Sequence, residues 1–309
     1  MFAIFIGTYV ATSYVLFKYP QILHKKKNNT LKCRNICHRG GSWENVENTI
    51  EAFQNSIQNS GSDMLELDCH LTKDKKVVVV HDNELTRLTG KAIQIATTDY
   101  KDIPPLLPSL MKGHRRENDT THQIAYKIPL LDEVFQKFPN IPINIDIKVY
   151  DKFLVTEVAR LIKEYRRENI TVWGSFQDRI VKECWKNNQN VPLYFSLKRV
   201  ALLIIFYYTG LLPFVPIKES YLEIPVPRAV RKITGDKDMP TSKKLLLFLA
   251  DKFMLNRSFI KHLERRGILT YLWTLNEDAD FDLAFNKLGV AGVMTDCPTK
   301  LKLFLERQN

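Results

Sequence analysis

A group of side chains suited to the hydrolysis of a phosphodiester lies in the amino-terminal third of this chain. They are His38, Arg39, Glu66, Asp68 and His81. Because side chains two apart on a β-strand point to the same face, Glu66 and Asp68 would place two carboxylates on one side of a strand. Such hard oxygen ligands suit Mg²⁺ or Ca²⁺, and a cation would offset the cost of two charges beside apolar neighbours. The pattern predicts a divalent metal site with imidazoles nearby for proton transfer.

Further candidates for this site lie later in the chain. Asp146 and Lys148 share one face of a predicted strand, which makes Asp146 a third candidate metal ligand and Lys148 a candidate phosphate-binding residue. Arg39 can offer its planar guanidinium to a phosphate. The alternative for Lys148 is a strand-end lysine that reaches solvent. Trp273 is either a wall of the substrate cleft or a core residue, since aromatic side chains serve both purposes.

Two roles are open for His81, as a general acid or base and as an imidazole ligand of the metal. A hard cation prefers oxygen, which favours proton transfer. In the resulting hypothesis the metal, Arg39 and Lys148 neutralise the phosphate oxygens. One of His38 and His81 activates the nucleophile and the other protonates the leaving alcohol. The nucleophile is either water or a free hydroxyl of the substrate itself.

Several motifs, in order along the chain, resemble the glycerophosphodiester phosphodiesterase domain family, and the leading hydrophobic segment resembles its membrane-anchored lysophospholipase D branch. The resemblance covers about residues 35–306 and rests on His38-Arg39-Gly40-Gly41, Glu47-Asn48-Thr49, Glu66-Leu67-Asp68, Thr72-Lys73-Asp74, 77–82, 144–148, 273–276 and 292–296. It implies that the motif at His38 opens the active site. Many family members carry glutamate where this chain has Asp146, so the shorter side chain would alter the metal distance or admit a water.

The distribution of apolar runs predicts one α/β domain with the TIM (β/α)8 barrel fold. Strand-like runs alternate with helix-like runs, as in parallel βαβ units, and a chain of 309 residues can form one barrel of about 250 residues. Barrel strands are expected at 35–38, 64–68, 143–148, 171–176, 193–197, 221–226, 269–275 and 292–295. Active sites of such barrels lie at the carboxyl ends of the strands, and the residues at or near these ends include His38, Asp68, Lys148, Trp273 and Asp296.

A hairpin, an insertion and a set of helices complete the predicted barrel domain. The run at 77–80 follows Asp68 too closely for a parallel crossover, which needs about a dozen residues, so it should form a hairpin that returns His81 to Glu66 and Asp68. Residues 85–127 interrupt the alternation and predict a small insertion over one end of the barrel. Helices are expected at 48–59, 131–137, 152–168, 178–187, 242–266, 279–287 and 299–307.

The amino-terminal segment predicts a membrane anchor. Residues 1–17 carry no charged side chain, and basic residues follow at 18–34. Because a span needs about 20 apolar residues, we expect a transmembrane helix at 1–23, a basic juxtamembrane linker at 24–34 and the catalytic domain at 35–309. By the positive-inside rule that domain faces the cytoplasm, and the endoplasmic reticulum or perinuclear membrane is the default location. A cleaved signal peptide, the alternative, normally has its positive charge ahead of the apolar core.

A second uncharged run, at 200–217, predicts a further contact with lipid. We interpret it as an apolar loop or helix at the barrel mouth that dips into the lipid surface and is broken by Pro213 and Pro216. The alternative is a buried crossover helix. The net charge of +11 fits attraction of the basic residues at 25–27 to an anionic lipid surface, whereas the basic cluster at 112–116 fits such a surface or an ordinary solvated face.

Composition and resemblance together bound the function. No nucleic-acid partner is expected, because no nucleic-acid motif accompanies the basic residues, and five cysteines without a CxxC pair indicate free thiols. The resemblance implies a lysophospholipase D that converts lysophospholipids, including N-acyl lysophosphatidylethanolamine and lysophosphatidylcholine, to lysophosphatidic acid and the head-group alcohol or N-acylethanolamine. One alternative is a phosphodiesterase that releases glycerol 3-phosphate from water-soluble glycerophosphodiesters. The other, of a different class, is an inactive lipid-binding scaffold.

Overall fold

The computed structural model describes residues 1–29, 31–110, 125–227, 240 and 251–308. The strands in these ranges are β1 (Asn35–Cys37), β2 (Met64–Leu71), β3 (Val77–Val79), β4 (Ile143–Ile147), β5 (Thr171–Gly174), β6 (Tyr221–Pro225), β7 (Leu269–Trp273) and β8 (Gly292–Thr295). The α-helices are α1 (Phe2–Lys18), α2 (Ile50–Gln58), α3 (Thr86–Thr89), α4 (Leu131–Lys137), α5 (Lys152–Glu164), α6 (Asp178–Asn187), α7 (Leu197–Tyr208), α8 (Arg257–Arg265), α9 (Asp278–Asp282) and α10 (Pro298–Glu306). A π-helical segment, Leu283–Leu288, continues α9.

Seven of the described strands run parallel and form a nearly closed barrel in the order β5-β4-β2-β1-β8-β7-β6. The gap between β5 and β6 is filled by residues 193–195. Leu193 forms a parallel bridge with Trp173, and Tyr194 forms one with Tyr221. These bridges complete the circle, so the prediction of a TIM-type barrel is confirmed.

The strand expected at 193–197 is reduced to these two bridges. Pro192 precedes it and has no amide hydrogen to donate to a neighbouring strand. Ser196 already caps α7, because its hydroxyl accepts a hydrogen bond from the amide of Arg199. The three residues between Pro192 and Ser196 are therefore too few for a regular strand.

Alternate residues of each strand face either the barrel interior or the surrounding helices. On β4, Ile143, Ile145 and Ile147 join the apolar layer beneath the helices, which leaves Asn144 and Asp146 to face inward, as the alternation predicted. The amino-terminal half of the interior is apolar and contains Ile36, Met64, Val172, Tyr194, Tyr221, Tyr271 and Met294. This packed layer supports the polar residues that follow at the carboxyl ends of the strands.

The predicted hairpin is confirmed. Strand β3 pairs antiparallel with β2, with Val79 opposite Cys69, and the turn between them contains Lys75 at φ +62°. The amide of Val80 then donates to the carbonyl of Asp68 at 2.9 Å. His81 therefore returns to the end of the strand that carries the two carboxylates.

Only part of the predicted insertion at 85–127 falls in the described ranges. That part contains α3 and three short 3₁₀ turns, Ile95–Thr97, Tyr100–Asp102 and Pro108–Leu110. Its apolar side chains, among them Leu85, Leu88 and Ile95, pack under the hairpin. The basic cluster at 112–116 lies outside the described residues, as do 242–250 of the helix predicted at 242–266.

Helix α1 packs against the amino end of the barrel. Its 17 residues end at Lys18, because Pro20 disfavours the helical conformation of the residue before it. Tyr9 Oη donates to the carbonyl of Thr209 at 2.5 Å, and Ser13 Oγ donates to the carbonyl of Gly210 at 3.0 Å. None of the helices in the described ranges combines the length and apolar character needed to cross a membrane, whereas we expected a spanning helix at 1–23.

The residues after α1 form a floor segment, defined here as 27–29 and 31–33, across the amino end of the barrel. The amide of Lys27 donates to the carbonyl of Arg266 at 3.0 Å. Leu31 is buried in the apolar interior layer, and its carbonyl accepts a hydrogen bond from Tyr271 Oη at 2.7 Å. The region expected to be a basic linker at 24–34 is thus packed onto the barrel over much of its length.

The uncharged run at 200–217 is the crossover helix α7 followed by a 3₁₀ turn at Leu212–Phe214. Val200 and Leu203 are buried against the barrel, while Ile205 is exposed. Because the turn leads into β6, it lies at the amino ends of the strands, opposite the mouth where we expected the run. The run therefore matches the alternative of a crossover helix, although part of its apolar surface stays exposed.

Candidate active site

The turn after β1 places His38 and Arg39 at the mouth of the barrel. Arg39, Gly40 and Gly41 all have positive φ, at 53°, 80° and 80°. A Cβ atom on Gly40 would lie 2.7 Å from the Cβ of Ala52 in α2, so only glycine lets the turn approach that helix so closely. The Arg39 amide donates to Glu66 Oε2 at 2.9 Å. The turn therefore joins the candidate catalytic motif directly to the acidic strand.

The His38 imidazole is held by Asp296, which follows β8. Its Nδ1 lies 2.6 Å from Asp296 Oδ1. Asp296 also accepts hydrogen bonds from Ser42 Oγ at 2.6 Å and Asn276 Nδ2 at 2.9 Å. Burial alone would raise the pKa of Asp296, but His38 and these donors outweigh it and lower the pKa to about 2. An ionised Asp296 directs a proton to Nδ1 of His38 and leaves Nε2 for the substrate.

His81 has a matching carboxylate partner in the next residue. His81 Nδ1 lies 2.6 Å from Asp82 Oδ1, and the His81 carbonyl contacts Nε2 of His70 at 3.0 Å. Burial would raise the pKa of Asp82, but hydrogen bonds from His81 and Arg87 lower it well below its usual range. Both candidate catalytic imidazoles therefore carry an ionised carboxylate at Nδ1.

Asp68 is fully buried beneath the mouth and has several partners. Asn48 Nδ2 donates to its Oδ2 at 2.9 Å, and Arg39 Nε lies 3.3 Å from the same oxygen. Lys148 Nζ lies 2.7 Å from Oδ1, as an ion pair that lacks hydrogen-bond geometry. Burial would raise the pKa of Asp68, but Lys148 and Arg39 lower it, so this carboxylate stays ionised.

Lys148 bridges Asp68 and Asp146. Its Nζ donates to Asp146 Oδ2 at 2.6 Å, and burial, which would lower its pKa, is outweighed by the two carboxylates. The second oxygen of Asp146 accepts a hydrogen bond from Tyr194 Oη at 2.8 Å. A Cβ atom on Gly174 would lie 2.9 Å from the Tyr194 ring, so glycine on β5 makes room for this tyrosine.

Glu66 and Glu223 are two buried carboxylates with less cationic compensation. Burial, followed by the charge of Asp68, raises the pKa of Glu66 to about 7. Burial also raises the pKa of Glu223, although Asn144 Nδ2 donates to its Oε1 at 2.5 Å. Glu223 lies on β6 and was not among the site residues predicted from the sequence.

Two adjoining cavities open at the mouth. The inner cavity, of about 260 Å³, is lined by His38, Arg39, Glu66, His81, Asn144, Asp146, Lys148, Phe176, Tyr194, Glu223, Trp273 and Met294. The outer cavity, of about 680 Å³, shares His38, Arg39 and Trp273 with it. The centroids of the Trp273 and Phe176 rings lie 5.3 Å apart. The inner cavity is thus lined by both imidazoles and by the candidate phosphate-binding residues. Asp68 does not line it, but forms ion pairs with Arg39 and Lys148, which do.

The three acidic residues of this site have the ligand chemistry of a divalent-cation site, although Asp68 does not line the inner cavity. Glu66, Asp68 and Asp146 offer only oxygen ligands, which Mg²⁺ and Ca²⁺ prefer. A cation would offset both causes of the raised pKa of Glu66, its burial and the neighbouring charge of Asp68. In the described part of the chain, however, no three His, Cys, Asp or Glu side chains are grouped so that they could hold a metal ion. Lys148 Nζ lies between Asp68 and Asp146 instead.

This site defines the class of the protein as a phosphodiester hydrolase on a TIM barrel, since paired imidazoles can move protons and paired cations can bind a phosphate. The sequence model of the glycerophosphoryl diester phosphodiesterase family matches residues 38–300. The chain belongs to this family.

Similar proteins support the assignment over nearly the full length. The chain is 46% identical over 300 residues to human "Lysophospholipase D GDPD1". The aligned region covers 97% of this chain and 95% of the human protein. It is 35% identical over 301 residues to human "Lysophospholipase D GDPD3", with 97% and 94% covered. The glycerophosphoryl diester phosphodiesterase domain of a Mycobacterium tuberculosis protein has the same fold, with a TM-score of 0.70, 14% identity and 87% and 98% of the two chains covered.

Proposed function

We propose that this chain is a lysophospholipase D. It would hydrolyse the phosphodiester bond of lysophospholipids on the head-group side and release lysophosphatidic acid with the head-group alcohol or N-acylethanolamine. Two relatives with 46% and 35% identity carry the name lysophospholipase D, which supports this choice within the family. The structural observation that carries the proposal is the pair of carboxylate-bound imidazoles on one cavity with Arg39 and Lys148.

The proposed mechanism assigns proton transfer to the two imidazoles. Each Nδ1 donates to its carboxylate, so Nε2 of one ring can take the proton of the nucleophile. The other ring, in its protonated form, then donates its Nε2 proton to the oxygen of the leaving alcohol. Arg39 and Lys148 would bind the non-bridging oxygens of the phosphate as negative charge builds on them. The water-excluding walls include Trp273 and Phe176, which lie in contact at the inner cavity.

A divalent cation belongs to this proposal, as Mg²⁺ or Ca²⁺. Glu66, Asp68 and Asp146 are the residues that would hold it. When bound, the cation would supply charge neutralisation at the phosphate oxygens. Lys148 already compensates two of these carboxylates, and its ammonium would then be free to turn towards the phosphate. His81 is assigned to proton transfer, because its Nδ1 is bound to Asp82 and hard cations prefer oxygen ligands.

The substrate class is tested by assaying the purified protein on lysophosphatidylcholine, N-acyl lysophosphatidylethanolamine and glycerophosphocholine, with and without EDTA. We expect lysophosphatidic acid from both lysolipids, loss of activity in EDTA, and recovery with Mg²⁺ or Ca²⁺. Higher kcat/KM for glycerophosphocholine would instead favour the phosphodiesterase of soluble substrates. Absence of turnover on all three would favour the inactive lipid-binding scaffold.

We also propose that the protein contacts a membrane through an apolar face formed by α1 and α7. The two helices dock through the contact of Tyr9 with Thr209, and exposed apolar side chains continue across both. They are Ile4, Phe5, Val10, Tyr14, Ile205, Tyr208, Leu211 and Phe214. The exposed Lys25 and Lys26 support attachment to an anionic cytoplasmic leaflet, in the endoplasmic reticulum or perinuclear membrane with the barrel in the cytoplasm.

Vesicle sedimentation tests this contact. The double substitution Phe5→Gln and Val10→Gln should lower binding to phosphatidylserine-containing vesicles at least about tenfold, because each buried apolar side chain contributes about 1.5–3 kcal/mol and glutamine adds no charge. Leu303→Gln on α10 is the control, since Leu303 is also exposed but lies on another helix. Equal binding by the double variant and the control would contradict the proposed face.

A further inference from the structure

Arg87 binds two carboxylates at once, although it belongs to neither the imidazole pair nor the acidic strand. From α3, its Nε donates to Asp82 Oδ2 at 2.6 Å. Its two terminal nitrogens donate to the two oxygens of Glu47 at 2.7 and 2.8 Å. A planar guanidinium can make all three contacts together, whereas a lysine ammonium is a single point charge. The side chain also lines the outer cavity, next to His38 and Arg39.

Asp82, the first of these carboxylates, orients the His81 imidazole. Asp82 binds Nδ1 of His81 with one oxygen and Arg87 with the other, so the plane of the carboxylate, and with it the direction of the imidazole, depends on Arg87. Asp296, the equivalent partner of His38, is held differently, by Ser42 and Asn276. Among the residues that the structure describes, Arg87 is the only side chain besides His81 that holds Asp82.

Glu47, the second carboxylate, affects the position of the Arg39 guanidinium. Glu47 is buried, and its oxygens make their short contacts with Arg87, while Arg39 Nη1 lies 3.4 Å away. The Arg39 guanidinium is consequently held loosely on this side and lies 3.3 Å from Asp68 through Nε. Without Arg87, Glu47 would retain Arg39 as its cationic partner within the described ranges. Glu47 would then draw the Arg39 guanidinium away from the inner cavity and towards the outer one.

We propose that Arg87 is a positioning residue for the reaction, which holds the general acid–base His81 through Asp82 and keeps Arg39 available to the phosphate through Glu47. The inference rests on the proposed phosphodiester hydrolysis and adds a residue outside the groups that touch the substrate. Replacement of Arg87 should therefore change both kcat and KM. The contact through Asp82 acts on the chemical step, and the contact through Glu47 acts on phosphate binding.

Steady-state kinetics of Arg87→Lys in the full chain test this role. We expect kcat for lysophosphatidylcholine to fall about tenfold to a hundredfold, as for a misplaced catalytic group, and KM to rise. In a double-variant cycle, adding Arg87→Lys to Asp82→Asn should lower kcat little further, because both substitutions release the same imidazole. Arg160→Lys is the matched control. Arg160 also binds both oxygens of one carboxylate, Glu157, but on the outer face of α5, and its replacement should leave activity within about twofold.

Two further measurements keep the test decisive. If Arg87→Lys does not fold, Arg87→Ala is assayed with and without methylguanidinium, and recovery of kcat by that cation supports the role. Unchanged kcat and KM in Arg87→Lys, independent effects of Arg87→Lys and Asp82→Asn, or no recovery with methylguanidinium would overturn it. The unaltered protein is assayed in parallel, so that its own inactivity would refute the proposed function, whereas an active parent with an active Arg87→Lys variant would refute only the role of Arg87.

Discussion

Replacement of His38 with alanine should lower kcat for lysophosphatidylcholine about 10³-fold while KM changes little, because a positioned general acid or base contributes about 10²–10⁴-fold. His38 lines the inner cavity and is bound at Nδ1 by Asp296. Its removal takes away one of the two proton-transfer groups without changing Arg39 or Lys148. The measurement is release of lysophosphatidic acid under saturating substrate, with the melting temperature of each variant determined alongside.

Two related variants define what His38 contributes. Asp296→Asn should also lower kcat, because an amide cannot stabilise the protonated imidazole, and combining it with His38→Ala should cost little more than His38→Ala alone. His24→Ala is the control, since His24 contacts the carbonyl of Pro213 at the amino end of the barrel. A His38→Ala variant within about tenfold of the parent kcat would lie below the usual contribution of such a group and would remove His38 from the mechanism.

Replacement of Lys148 with methionine should reduce both activity and stability. The variant keeps the aliphatic stem but leaves Asp68 and Asp146 without their shared cation. Removing one partner of a buried charge pair costs about 3–5 kcal/mol, so the free energy of unfolding in EDTA should fall by a large part of that amount. Added Ca²⁺ should raise the melting temperature of this variant more than that of the parent, because a divalent cation would then compensate both carboxylates.

Lys182→Met is the matched control for Lys148→Met. Lys182 contacts Asp178 at 2.8 Å on α6, but its side chain is 69% exposed, and such surface pairs contribute about 0–1 kcal/mol. Denaturant unfolding and lysolipid hydrolysis are measured for both variants. Equal stability of Lys148→Met and the parent in EDTA would show that Lys148 does not balance the acidic cluster.

The barrel itself was predictable because its signal is local and periodic. The alternation on β4 assigned the isoleucines to the outer layer and Asp146 to the interior, and the short distance between Asp68 and the 77–80 run required a hairpin; both predictions are confirmed. The same alternation pattern could not distinguish a full strand at 193–197 from two isolated bridges, since that depends on how Pro192 and the cap at Ser196 divide a few residues.

The site was predicted less completely. His38, His81, Glu66, Asp146 and Lys148 meet in one cavity, as the strand ends implied. Glu223 carries the same signal as Glu66, a carboxylate between apolar strand residues, and could have been found by applying that argument to β6. Asp296 was recognised as a strand-end residue but was given no partner. The assignment of Arg87 required the fold, because its partners Glu47 and Asp82 come from separate segments and no spacing rule joins them.

The apolar face formed by α1 and α7 was also beyond sequence reasoning. The two segments are separately apolar, but their contact depends on Tyr9 and Ser13 meeting the carbonyls of Thr209 and Gly210. Side chains that bind exposed carbonyl groups at a helix end leave no pattern in the sequence. The apolar segments at 1–23 and 200–217 are therefore in contact in the fold, although they are far apart in the sequence.

The floor segment determines how this enzyme can be shortened. Leu31 seals the apolar interior below the reactive cluster, and Lys27 is fastened to Arg266. A shortened chain that begins at the first barrel strand would therefore let water reach Tyr271 and its neighbours from the amino end of the barrel. Cutting ahead of Lys27 would keep this seal, but it would uncover the surface that α1 protects through Tyr9, Ser13 and Phe17.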